Sequence, residues 1–336
     1  MAVLIFMLLT VLTALGSEPD RSDRDLFLEW TTAQRTAPAL QLDHYRDDPT
    51  LWSEVAALVV AHENLWVTYV GQSVGGRPMW AFQHGAPDRP GLLVLAGLHA
   101  IEWIGTEAAL ELLIRHVTTE TTTTRLAVIL VANPDGRARV TADLANDRSV
   151  MRRGNGAGVD LNRDWAVHRT AARGLDAFFP RRLGLSPSAL SQPETRAIAA
   201  FAENGGFTHA ASLHAWDPHG KILLPWAGRT QRPASWQRLK ALGASMQSRQ
   251  QHPYALRQLG RLVPCVAVRG TELDHLHGLL GLDTVLIEIS HRDHTHRTQG
   301  TRWFRRYNPM PGRSDREETV AALEGMLDAL EGSVSP

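Results

Sequence analysis

His99 and Glu102 stand three residues apart in the stretch Gly91-Leu-Leu-Val-Leu-Ala-Gly-Leu-His-Ala-Ile-Glu-Trp103. An imidazole nitrogen and a carboxylate oxygen are ligands that suit zinc. Taken alone, the pair also reads as polar residues on a loop, because so short a motif arises by chance. Two more ionisable residues stand at the ends of apolar runs. His214 follows residues 208–213, and Glu288 stands near the end of residues 282–289. Such groups beside core strands are costly unless paired or metal-bound. Singly, His214 reads as a core or loop histidine, and Glu288 as the partner of an arginine such as Arg292. Together they form a kit: His99, Glu102 and His214 hold one zinc ion and leave a fourth position for water. Glu288 then acts as the base.

The elements that must position these residues are legible in outline. Residues 92–96 and 125–132 are short, almost wholly apolar runs, and 208–213 and 282–289 are mixed runs rich in Ala, Val, Leu and Ile; all four read as buried strands. Residues 64–69 and 78–83 read as a hairpin around the turn Gly71-Gln-Ser-Val-Gly-Gly-Arg77, and 221–225 as a short strand. Helical spacing or helix-forming composition marks 51–62, 106–116, 192–204, 236–250 and 316–330. Gly205-Gly206 ends the third of these as a C-cap would. Asn133-Pro-Asp-Gly136 reads as a turn, and residues 149–158 as an irregular loop. Buried strands alternating with helices predict an α/β chain with a mixed or parallel sheet covered on both faces. In such sheets ligands bind at the strand ends.

Composition narrows the function class. The chain has 336 residues, 43% hydrophobic, with 35 basic and 35 acidic side chains and a formal net charge of zero. That balance argues against nucleic acid as a partner. The single cysteine, Cys265, excludes an intrachain disulfide and reads as a small buried hydrophobe. Residues 1–16 form an apolar run followed by polar Ser17-Glu-Pro-Asp-Arg21. Ala14-Leu-Gly16 offers a cleavage site, so the run reads as a secretory signal peptide. It lacks a Lys or Arg ahead of the apolar core, which leaves an uncleaved N-terminal anchor as the alternative. A secreted or periplasmic protein with no stable membrane association is expected. The expected organisation is a signal peptide at 1–16, an N-terminal extension at 17–44 and a catalytic domain at 45–331.

The motifs, in their order, resemble those of the zinc carboxypeptidases, the M14 metallocarboxypeptidase family. His99-Ala-Ile-Glu102-Trp resembles the first zinc motif, and His214 in Ser-Leu-His-Ala the third ligand. Gly71 to Arg77, Asn133-Pro-Asp-Gly136, Gly158-Val-Asp-Leu-Asn-Arg-Asp-Trp165 and Val285-Leu-Ile-Glu288 resemble further motifs. The resemblance implies a three-layer α/β/α sandwich around a central mixed, mostly parallel sheet of eight strands. It implies a hydrolase that removes C-terminal residues, with zinc lowering the pKa of its water to about 7. Glu288 would be the general base. Arg153, or its neighbour Arg152, would stabilise the oxyanion. Asn162 and Arg163 would grip the terminal carboxylate of a peptide substrate, a bidentate task suited to a guanidinium. Leu273 would set the character of the side-chain pocket.

Some positions depart from the family pattern. Ile101 replaces an Arg often found between the His and Glu of the zinc motif. Val266 falls where a substrate-capping Tyr is common, with His277 or Tyr254 as conceivable substitutes. Trp216 and Asp217 replace the commoner residues after the third ligand. There is little length before Tyr45 for an inhibitory prosegment, so the enzyme is expected to be made active. His291-Arg-Asp-His-Thr-His296 reads as a solvated loop, with a second metal site as the alternative. Trp303-Phe-Arg-Arg-Tyr307 reads as a surface loop or as core packing. The missing contacts at Ile101 and Val266 keep open a cell-wall (murein) peptide amidase or carboxypeptidase. A deacylase of N-acyl amino acids is a second alternative, and a binding module with a dead site a third.

Overall fold

Consecutive residues of the central strands face opposite ways into two separate cores. The computed structural model describes residues 22–34, 40, 42, 44–119, 124–169, 186, 188–217, 219–228, 231–262, 268–290, 303–309 and 313–332. Its strands in chain order are β1 (Trp66–Gln72), β2 (Pro78–His84), β3 (Gly91–Leu95), β4 (Arg125–Ile129), β5 (His209–Asp217), β6 (Lys221–Leu224), β7 (Ala255–Gln258) and β8 (Asp283–Ser290). They form one sheet in the order β1-β2-β4-β3-β5-β8-β6-β7. The β3–β4, β3–β5, β5–β8 and β6–β7 pairs are parallel, and β1–β2, β2–β4 and β6–β8 are antiparallel. The expected mixed sheet of eight strands with a parallel majority is therefore found.

β3 and β4 are buried at every position. Leu92 and Val94, with Leu126 and Val128, belong to one core; Leu93 and Leu95, with Ala127 and Ile129, belong to the other. A strand buried on both faces has no polar side to alternate with, which is why these runs read as continuous. The helices are α1 (Asp23–Gln34), α2 (Asp48–Ala61), α3 (Trp103–Thr118), α4 (Pro134–Ala145), α5 (Pro193–Asn204), α6 (Trp236–Arg249), α7 (Glu272–Gly278), α8 (Trp303–Tyr307) and α9 (Arg313–Gly332). α1, α2, α3, α4, α6, α8 and α9 supply the first core, and α5 with part of α7 the second. That makes three layers.

Several local readings change. Asn133-Pro-Asp-Gly136 is not a free turn but the start of α4, where the Asn133 side chain accepts from Gly136 N at 2.9 Å. Asn before Pro is also a helix N-cap signature, and a turn reading does not distinguish the two. α1, within the span read as an extension, inserts the fully buried Phe27 among Trp52, Trp80 and Phe82. β7 and α7 had no periodicity long enough to read. The 303–307 segment is helical, with Phe304 and Tyr307 buried. The apolar run 1–16, Cys265, Val266 and the 291–296 histidine cluster lie outside the described residues. Among the described residues no helix is long and apolar enough to cross a membrane.

Away from the strand ends that carry the kit, His84 on β2 and His116 on α3 are both buried, with Nδ1 atoms 3.0 Å apart. Burial first, and the facing imidazole second, lowers the His116 pKa to about 4, and burial lowers that of His84 as well. Both rings are therefore neutral when folded and must charge as acid unfolds the chain. This contribution is full above the unfolded histidine pKa and drains away as pH falls from about 6.5 toward about 4. In urea titrations, His116→Gln should lose less stability than the parent between pH 7 and pH 5, by on the order of 2 kcal/mol. Parallel curves for the two proteins would refute this account of the pair.

Candidate metal centre

Gly97 ends β3 with φ +68, a left-handed turn that a side chain would strain. That turn throws the chain out of the sheet and delivers His99. Glu102 then occupies the N-cap of α3, but its side chain makes no cap hydrogen bond. Its carboxylate instead accepts from Ala215 N at 3.0 Å and lies 2.9 Å from His99 Nδ1 and 3.3 Å from His214 Nδ1. A carboxylate at a helix N-terminus is also favoured by the helix dipole. Asn308, wholly buried, holds this loop: its amide donates to Ile101 O at 2.7 Å and accepts from Ile104 N at 3.0 Å. Ile101 itself is buried in the first core.

His214 is not just past a strand, as the sequence suggested, but within β5. Its Cα partner on the parallel β8 is Glu288. Paired residues on neighbouring strands share a face. Ala211, Leu213 and Ala215, and likewise Val285, Ile287 and Ile289, face the first core, so His214 and Glu288 both face the other way.

The two Nδ1 atoms of His99 and His214 are 2.9 Å apart, and the three ligand atoms of His99, Glu102 and His214 all lie within 4.8 Å of one another. All three residues are buried. Two ring nitrogens and a carboxylate converging on one point is a donor set for a divalent cation, and N/N/O is a zinc set. The charge balance agrees. Burial opposes charge on His214, but Glu272 and Glu102 outweigh it and push the ring's pKa up to about 10. Burial raises the Glu102 carboxyl, and His99 with His214 more than offsets it and holds it well below the usual range.

Around the triad, His99 Nε2 lies 3.1 Å from Asp160 Oδ1, and His214 Nε2 lies 2.8 Å from Glu272 Oε1. The sequence reading assigned neither acid a role; a carboxylate two residues before Asn162 was a faint signal, and Glu272 gave none. Glu288 is partly exposed, and burial raises its carboxyl pKa, with His214 lowering it and Glu102 raising it. Arg153 reaches the triad, with Nη1 3.3 Å from Glu102 Oε1 and Nη2 2.7 Å from His99 Nε2. Arg152 does not; its guanidinium pairs with Asp143. Asn162 lies with Nδ2 3.5 Å from His214 Nε2, and Arg163 donates to the Asn162 carbonyl at 2.5 Å. Their short turn is anchored by buried Asp164, which accepts from Ser191 N, Gln192 N and Thr195 Oγ1. Leu273 is buried in a small apolar cluster with Leu223, Ala227, Leu259 and Leu286. His277 and Tyr254 are spent elsewhere: His277 Nδ1 donates to Leu282 O, and the Tyr254 hydroxyl donates to Asp315 O.

A family model described as zinc carboxypeptidase (Peptidase M14) matches residues 53–273. Carboxypeptidase SOL1 of Arabidopsis thaliana is 31% identical over 169 residues, covering 47% of this chain and 30% of its own length. Zinc carboxypeptidase A 1 of Drosophila melanogaster is 28% identical over 177 residues, covering 50% of this chain and 38% of its own. The matched region thus spans about a third of each of these relatives. In structure, the chain is similar to carboxypeptidase A from Helicoverpa armigera, with a TM-score of 0.69, 18% identity, and coverage of 93% of this chain and 80% of that one. It is also similar to bovine thrombin-activatable fibrinolysis inhibitor in complex with tick carboxypeptidase inhibitor, with a TM-score of 0.69, 17% identity, and coverage of 86% and 98%. At these identities the structural likeness bears on the fold alone.

Metal analysis of the purified chain should find one zinc per molecule, and His99→Ala, Glu102→Ala and His214→Ala should each lose it. Retention of full zinc by any one of the three would take that residue out of the ligand set.

Proposed function

The chain belongs to the zinc carboxypeptidase family, and we propose that it hydrolyses the last peptide bond of substrates bearing a free C-terminal carboxylate. The observation that carries this reading is the convergence of His99 and Glu102, from the turn between β3 and α3, with His214 of β5, and Glu288 in register beside His214. Bound zinc would supply Lewis acidity and a water acidified into the neutral range.

The chain's own residues divide the remaining work. Arg163 and Asn162 hold the substrate's terminal carboxylate, and Leu273 contributes an apolar wall to the side-chain pocket. Glu288 takes the proton from the attacking water and passes it to the leaving amine. Burial raises its carboxyl, and that brings it closer to the working pH of a base. Arg153 offers N–H donors to the oxyanion of the tetrahedral intermediate. Its place beside Glu102 and His99, against the outward pairing of Arg152 with Asp143, favours it for this role. Export through residues 1–16 belongs to the same reading.

A second reading is a cell-wall peptide amidase of the same family. It is favoured by the buried apolar Ile101 at a position where an arginine contact to a substrate carboxylate is common.

Mass spectrometry of mixed peptides, murein fragments and N-acyl amino acids, with and without a chelator, separates these readings. Chelator-sensitive loss of one C-terminal residue is the expected result. Cleavage confined to murein peptides, or to N-acyl amino acids, would move the assignment to that substrate, and no chelator-sensitive cleavage would end it. Glu288→Gln should lower kcat by about 10²–10⁴ while zinc stays bound; unchanged turnover would remove Glu288 as the base. Arg153→Ala should lower kcat by about 10²–10³, and Arg152→Ala by far less; the reverse order would exchange their roles.

A further inference from the structure

Glu272 opens α7 beneath the Thr271 cap and is 0% exposed. A carboxylate so deep is costly unless something specific needs it. Its Oε1 lies 2.8 Å from His214 Nε2, the ring nitrogen that faces away from His99 and Glu102. Its other oxygen, Oε2, has no hydrogen-bond partner. The Ser212 hydroxyl, two residues back along β5, lies 3.1 Å from the same Nε2. A carboxylate accepts and cannot donate, so the short contact puts the ring proton on Nε2. Nδ1 is then left with its lone pair aimed at the triad. At His99, Asp160 Oδ1 lies 3.1 Å from Nε2, a nitrogen that Arg153 Nη2 also approaches at 2.7 Å. The two acids come from unrelated parts of the chain, a short turn and a helix N-terminus.

We propose that Glu272 is a positioning residue for the metal, acting through His214. It holds the ring plane and its proton so that Nδ1 is presented to the ion, and thereby slows the ion's escape. Outer carboxylates of this kind orient ligating histidines and raise their basicity. The proposal rests on the zinc reading of the triad. It gives α7 a role beyond packing Leu273 into its small apolar cluster.

The test uses the full chain as wild type, Glu272→Ala, Glu272→Gln and His214→Ala. Each is loaded with zinc, and transfer of the zinc to a chromophoric chelator is followed. Glu272→Ala should bind zinc about 10–100-fold more weakly and release it faster. Glu272→Gln keeps the shape and an acceptor oxygen but loses the charge, and should fall between Glu272→Ala and wild type; it decides the matter should Glu272→Ala not fold. Melting curves of the metal-stripped proteins provide the control. A purely structural role would shift the stripped melt and leave zinc affinity alone, and that result would overturn the proposal. Equal zinc affinity in wild type and both Glu272 variants would overturn it as well. Should wild type take up no zinc, or His214→Ala keep it, the metal-site reading itself fails and this proposal with it. Zinc lost in His214→Ala but held normally in Glu272→Ala defeats the positioning role alone.

Discussion

The site depends on one piece of strand register. β5 and β8 run parallel, and His214 sits opposite Glu288. Because side chains alternate, a slip of one residue would turn either group into the opposite core. The apolar residues on both sides of each strand prevent that slip. Ala211, Leu213 and Ala215 on β5, and Val285, Ile287 and Ile289 on β8, are locked in the first core. The same burial that stabilises the sheet therefore aims the imidazole and the carboxylate.

A second constraint is charge. Glu102, Asp160 and Glu272 surround two imidazoles in a space largely closed to water, with Glu288 at its edge. Acids gathered at this density repel one another unless cations balance them. Arg153 supplies part of the balance, and a divalent ion between the imidazoles would supply the rest. The arrangement makes physical sense as a socket for a divalent ion, with the arginine left over for anionic chemistry. Asp160 and Glu272 then have a purpose that their burial alone would not justify.

Much of this was legible in the residues. The apolar runs gave the inner strands because strands buried on both faces have continuous apolar sequence. His99, Glu102 and His214 were legible because residue type, order and position at strand ends coincide. Other features were hidden for physical reasons. Asn133 reads alike as a turn and as a helix cap, since both use the same side-chain bond to a nearby amide. Glu272 is on a seven-residue helix with no apolar period to announce it. Its partner is 58 residues away, and only the sheet brings the two together. Arg152 and Arg153 differ only in direction: one meets Asp143, the other the triad.

Asn308 ties the loop between His99 and α3 to a segment 207 residues further along the chain. All three ligands of the ion are laid down well before that clamp is synthesised. The loop that carries two of those ligands is therefore pinned by a contact of very high sequence separation, one that can close only after most of the chain has found its place.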